Sequence, residues 1–118
     1  MLLPKAVIPA ARVPLALLPT PLRLLERFSS TLEGPRIWIK RDDLSECSAS
    51  GNKIRKLEFV FAKAIADGCT AVITCGGLQS NHCRTTAILA AQLGLNCILI
   101  LRGSPPTQVT GNTFIDAL

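Results

Sequence analysis

Apolar positions recur along this chain in two alternating rhythms. Between residues 53 and 66, Ile54, Leu57, Val60, Phe61, Ala64 and Ile65 fall on one face at helical spacing, and Gly68 supplies the stop. "CTAVITC" follows, a short β-branched run that reads as a buried parallel strand. "CRTTAILAAQLG" predicts a second helix ending at Gly94, and "NCILILR" a second buried strand. Upstream, "GPRIWIK" alternates after a Gly-Pro break and reads as a strand, while residues 22–28 (LRLLERF) read as one or two helical turns. "RDDLSECSASGN", "GGLQSNH" and "GSPPTQVTGN" are loops, and "TFIDAL" begins a further helix. Residues 1–22, with four prolines by position 19, are expected to form an extended arm. Residues 23–118 are expected to form one partial domain.

Strands and helices that alternate at such short intervals make βαβ units. The expected fold class is therefore α/β, with an open, mostly parallel sheet and helices on both faces. Right-handed crossovers bring the strand-to-helix turns to the carboxyl edge of the sheet, where such folds bind ligands. The chain runs out inside a predicted helix, so the expectation is the opening portion of a longer fold.

Composition narrows the picture. The 118 residues are 48% hydrophobic but only 4% aromatic, with no tyrosine, so the core must rest on Ile, Leu, Val and Ala. The net charge is +5, yet the cations cluster only at Lys40–Arg41 and Lys53–Lys56. Without a basic stripe interleaved with aromatics, nucleic acid is not an expected partner. Nor is a membrane, because no apolar run approaches the roughly 18 residues a span needs. Five cysteines, an odd number with no C-x-x-C pair, favour a reducing compartment. Cys69, Cys75 and Cys97 are expected as small hydrophobes in or beside strands. With His82 the only histidine, no metal site is expected. The expected location is cytoplasmic. The arm's cations (Lys5, Arg12, Arg23) leave organelle targeting open, although its prolines argue against a targeting helix.

Two stretches carry candidate chemistry. In "SASGNKIRKLE" a lysine, Lys53, opens a helix, and Arg55 and Lys56 follow it. Unpaired N–H groups and the positive end of the helix dipole make that place unfavourable for cations and favourable for an anion. Burial and a helix start each disfavour an ammonium ion, and a lysine held partly neutral can act as nucleophile or base. The plain alternative is a solvated lysine on a long stem. Lys53 and Lys56 share one side of the helix, so one phosphorylated ligand could meet both. The second stretch is "CGGLQSNHCR". Gly76 and Gly77 would let the backbone turn tightly. Gln79, Ser80, Asn81 and His82 then gather at a helix start suited to a carboxylate or phosphate. A helix cap would account for one of these polar residues, not for four in a row. The stretch carries neither a P-loop nor a dinucleotide fingerprint.

"IWIKRDDL", "SGNKIRKLEF" and "CGGLQSNHCRTTA", together with "PTPL" and "TGNTFIDAL", resemble the D-cysteine desulfhydrase and 1-aminocyclopropane-1-carboxylate deaminase family. These are pyridoxal-phosphate enzymes of the tryptophan synthase β-like fold. The resemblance runs from Pro19 to Leu118 and is to the N-terminal part of that fold. It implies that Lys53 holds pyridoxal 5'-phosphate as an aldimine and that Lys56 lies near the phosphate. It implies that Asn81 meets the cofactor's 3-hydroxyl oxygen, with Asn52 also on the cofactor side. Gln79, Ser80, Asn81 and His82 would receive the substrate, with Ser80 close to the reacting carbon. Asn52 and Gln79 would shape the site. The implied activity is a lyase or deaminase on a small amino acid. D-cysteine is the favoured substrate, because "QSNH" resembles the desulfhydrase branch; 1-aminocyclopropane-1-carboxylate deaminase is the alternative. A non-catalytic fragment of such an enzyme is a further alternative, since the family's phosphate loop and pyridine-nitrogen partner lie downstream. The chain alone is accordingly expected to bind cofactor poorly. A homodimer is expected of the full-length enzyme.

Overall fold

The computed structural model describes residues 11–45 and 51–118. Its elements in chain order are β1 (Leu22–Leu24), α1 (Glu26–Thr31), β2 (Trp38–Lys40), a 3-10 turn (Asp42–Leu44), α2 (Lys53–Ala66), β3 (Ala71–Gly77), α3 (Asn81–Gln92), β4 (Asn96–Arg102) and α4 (Asn112–Asp116).

The carboxyl-terminal half is a βαβ unit. β3 and β4 pair in parallel from Ala71 opposite Asn96 to Gly77 opposite Arg102, with α3 as the crossover. Both α2 and α3 end on a glycine in the left-handed region, Gly68 (φ 71°) and Gly94 (φ 70°). There Cys69 N–H reaches back to the Ala64 carbonyl and Leu95 N–H to that of Ala90, each at 2.9 Å. These bonds occupy carbonyls that a helix end otherwise leaves open. The "LRL" segment is a strand rather than the start of a helix. Leu22, Arg23 and Leu24 pair antiparallel with Lys40, Ile39 and Trp38, and the helix starts only at Glu26. A cross-strand partner that is distant in sequence decides this, and local periodicity carries no trace of it.

The core lies between α2, α3 and one face of the sheet. Ile54, Leu57, Phe61, Leu89 and Ala90 are buried together, and Val72, Cys97, Leu15 and Ala16 pack against them. The buried stripe of α2 is Ile54, Leu57, Glu58 and Phe61. Val60 and Ile65, expected inward, are exposed, and a glutamate takes the inward place. The cause is the arm, which runs along α2 with backbone donors to satisfy. Val13 N–H donates to the Glu58 carbonyl, and Leu15 and Ala16 N–H donate to Glu58 Oε1 at 2.8 and 2.9 Å. Arg12 approaches Glu58 Oε2 at 3.4 Å. A buried carboxylate is tolerable when hydrogen bonds fill its lone pairs.

The opposite face of the sheet is bare among the described residues. Ile73, Ile98 and Ile100 point there and are each more than half exposed. The expected second layer of helices is not contributed by these residues. Cys75, in β3, is exposed for the same reason, Cys69, in the turn after α2, is exposed as well, and Cys97 is half-buried. The buried thiol is Cys83, on α3. These four cysteines are free; Cys47 lies outside the described residues.

Candidate active site

Parallel pairing sends the ends of β3 and β4 to one edge, so the 78–80 and 103–111 loops are neighbours there. α2 also begins close to this edge, and it does so without a side-chain cap. Asn52 occupies the cap position in helical conformation and makes no capping hydrogen bond, and the first turn holds no acidic residue. Gly51, with φ of 103°, makes the reversal that a residue bearing Cβ would resist. α2 thus starts with N–H groups that no side chain of the described residues occupies, beside Lys53 and Lys56. That is an anion-favouring arrangement.

α3 starts differently. Ser80 is in extended conformation and its Oγ accepts from Cys83 N–H at 3.2 Å, so it caps the helix. Its hydroxyl proton remains available to a ligand. Asn81 is the first helical residue and is exposed. Gly76 and Gly77 belong to β3, not to the turn. A Cβ on Gly76 would come within 2.6 Å of Ser80 Oγ and 2.7 Å of Cys83 Sγ, so Gly76 is what lets the cap fold back onto the strand. A Cβ on Gly77 would meet nothing within 4 Å.

His82 ties the two helix starts together. Its ring is held below the ordinary value of 6.5, first by burial and then by the positive charges of Lys56 and Lys53. Lys56 and His82 also border one cavity. His82 Nδ1 is buried and has no hydrogen-bond partner among the described residues. An orphaned buried polar atom beside two cations and an uncapped helix start suits an anionic, hydrogen-bonding ligand. A 200 Å³ cavity bordered by Lys56, His82, Thr74 and Thr86 lies below this cluster, between α2 and the sheet.

Gln79 is committed elsewhere. Its Nε2 donates to the Thr110 carbonyl at 3.0 Å and to Thr113 Oγ1 at 3.3 Å, and its Oε1 accepts from Asn112 N–H at 2.9 Å. It therefore braces the second loop. Thr110, Asn112 and Arg84 carry no role expected from the sequence, although "TGNTFIDAL" belongs to the resemblance. Arg84 Nη1 donates to Asn112 Oδ1 at 3.2 Å, and Asn112 Nδ2 donates to Asn81 Oδ1 at 2.9 Å.

Lys53, Lys56, the Ser80–His82 turn and the uncapped start of α2 thus form an arrangement that suits an anion in a parallel α/β fold. The chain matches the family described as pyridoxal-phosphate dependent enzyme over residues 13–113, and it belongs to that family. Over 107 residues it is 48% identical to a Thermotoga maritima protein provisionally named 1-aminocyclopropane-1-carboxylate deaminase, covering 91% of this chain and 34% of that protein. A crystal structure described as an ACC deaminase homologue superposes with a TM-score of 0.82 at 40% identity, covering 91% of this chain and 32% of that one. The fold is thus that of the tryptophan synthase β-like enzymes, and the chain spans about a third of the length of these relatives. No described helix is long and apolar enough to cross a membrane.

Proposed function

We propose that this chain is the cofactor-anchoring portion of a pyridoxal-phosphate-dependent lyase or deaminase acting on a small α-amino acid. The observation that carries the reading is a helix start that opens on Lys53 without a side-chain cap, with Lys56 and His82 bordering one cavity beside it. In this reading Lys53 Nζ is the attachment point for the cofactor aldehyde. Lys56 and the free N–H groups of α2 attract its phosphate, with Asn52 at the entry. Asn81 hydrogen-bonds the 3-hydroxyl oxygen. Ser80, with its hydroxyl proton free, and the Asn81–His82 backbone take the substrate carboxylate, with Gln79 holding that turn in place. When bound, the cofactor supplies an electron sink that weakens bonds at the substrate's α-carbon. Lys53 Nζ would be the group on this chain that moves a proton there. His82, kept neutral, adds no further charge next to the lysines.

The favoured substrate is D-cysteine, which would release sulfide and yield pyruvate and ammonia. His82 following Asn81 supports it, by the resemblance noted above. Opening of 1-aminocyclopropane-1-carboxylate to 2-oxobutyrate is the second reading, favoured by the names of the two relatives. Borohydride reduction of the cofactor-loaded protein expressed from its full reading frame, followed by peptide mass mapping, is expected to find the adduct on Lys53. An adduct on another side chain overturns the assignment. Pyruvate released from D-cysteine is then compared with 2-oxobutyrate released from 1-aminocyclopropane-1-carboxylate. Release of 2-oxobutyrate alone selects the second reading, and release of neither refutes both.

A further inference from the structure

Asn112 opens α4, and its side chain lies between the two loops of the carboxyl edge. Its Nδ2 donates to the Gln79 carbonyl and to Asn81 Oδ1, both at 2.9 Å, and its Oδ1 accepts from Arg84 Nη1 at 3.2 Å. Its backbone N–H donates to Gln79 Oε1 at 2.9 Å. Partner chemistry dictates these orientations. A backbone carbonyl only accepts and a guanidinium only donates, so the Asn112 atom facing Gln79 is nitrogen and the one facing Arg84 is oxygen. The Asn81 atom that meets Asn112 Nδ2 must then be Oδ1. Asn81 Nδ2 is left as the outward group, a donor with no protein acceptor among the described residues. Gly111 makes the approach possible: its φ is 56°, and a Cβ there would stand 2.7 Å from Gln79 Oε1.

We propose that Asn112 is a positioning residue that locks the Asn81 carboxamide with its Nδ2 outward, as a donor to an anionic oxygen of the ligand. The proposal rests on the reading above, in which Asn81 meets the cofactor's 3-hydroxyl oxygen. An exposed asparagine without Asn112 turns either end outward. Its oxygen facing the ligand oxygen would repel the ionised form, which its nitrogen stabilises. Arg84 acts one step further back, by fixing Asn112.

The test uses the protein expressed from its own full reading frame, loaded with pyridoxal phosphate. Asn112→Ala, Asn81→Ala and the double variant are titrated with the cofactor, and the visible absorbance of the bound form is followed against pH. Asn112→Ala is expected to weaken cofactor binding about fivefold, the size of one modest hydrogen bond. It also raises the pH at which the bound absorbance changes, because the ionised oxygen has lost its donor. In the Asn81→Ala background the same substitution should change neither quantity. An equal loss in both backgrounds means that Asn112 only supports the loop, and overturns the proposal. So does an unmoved absorbance midpoint. Asn112→Asp keeps the shape and the Arg84 contact but sets an oxygen against Asn81 Oδ1. It is expected to reproduce the absorbance shift, and it serves as the test should the alanine variant fail to fold. Borohydride labelling of Lys53 in the unsubstituted protein separates the two levels. If Lys53 is unlabelled, the cofactor reading fails and the proposal with it; if Lys53 is labelled and the midpoint does not move, only the proposal fails.

Discussion

Glu58 is where the extended arm stands or falls. Its carboxylate is almost completely enclosed, 1% exposed, and Oε1 takes the N–H groups of both Leu15 and Ala16. Glu58→Ala removes two hydrogen bonds to a charged acceptor, each worth about 1.5–3 kcal/mol. It also leaves two backbone donors without partners unless the arm lifts off into water. Lifting off exposes Leu15 and Ala16, which pack on the core, so either response costs. The expected net loss is about 3 kcal/mol, a large part of an ordinary domain's stability of about 5–15 kcal/mol. Glu58→Gln separates charge from shape. The amide oxygen can still accept both N–H groups, but a neutral acceptor is about half as strong. The amide nitrogen would also face Arg12, whose half-exposed ion pair is itself worth no more than about 1 kcal/mol. The glutamine variant should therefore lose about 1–2 kcal/mol. Urea denaturation followed by circular dichroism measures both. For a urea slope of about 1.5 kcal/mol per molar, the alanine variant's midpoint drops by about 2 M. Amide exchange at Leu15 and Ala16 should accelerate in the same order. If glutamine proves as damaging as alanine, the carboxylate's charge is the whole effect. If alanine costs less than about 0.5 kcal/mol, the reasoning about buried acceptors is refuted here.

Three further outcomes are expected. His82 titrates in the fold below its ordinary value of 6.5, so its contribution to stability is complete above that pH and is lost as pH falls through the lower folded value; His82→Gln should flatten the decline in melting temperature below pH 6.5, and an unchanged decline would contradict it. Asp116 is the opposite case, since burial pushes its carboxyl above 3.8 against the pull of Arg84 and neither oxygen has a hydrogen-bond partner among the described residues. Its favourable contribution is complete below 3.8 and lost as pH rises through the folded value, so Asp116→Asn should raise the melting temperature at pH 7 and not at pH 3, and a lowered melting temperature at pH 7 would show Arg84 outweighing desolvation. Gly76→Ala forces a methyl against Ser80 Oγ and Cys83 Sγ and should cost about 1–3 kcal/mol by urea denaturation, whereas Gly77→Ala, with open space around it, should cost under about 1 kcal/mol.

The alternation of strands and helices from residue 53 to 102 was legible because each element's pattern repeats within its own length. Helical spacing marked α2 and α3, β-branched runs marked β3 and β4, and Gly68 and Gly94 marked the stops. The place of Lys53 at the start of α2 was legible for a related reason: the helical pattern begins there, and a cation at a helix start conflicts with the dipole, which makes the residue a candidate for function. Where the pattern misled, a partner far along the chain had decided the outcome. β1 is a strand because β2 lies beside it, and Glu58 turns inward because the arm brings donors to it. The order Ser80, Asn81, His82 is readable from sequence alone. Which of them caps, which is part-buried and which faces outward depends on loops from both strands meeting at one edge. Asn112 stands 31 residues from Asn81 and holds it through a single hydrogen bond. Local periodicity cannot record a contact of that span, because only the parallel pairing of β3 and β4 brings those loops within reach of each other.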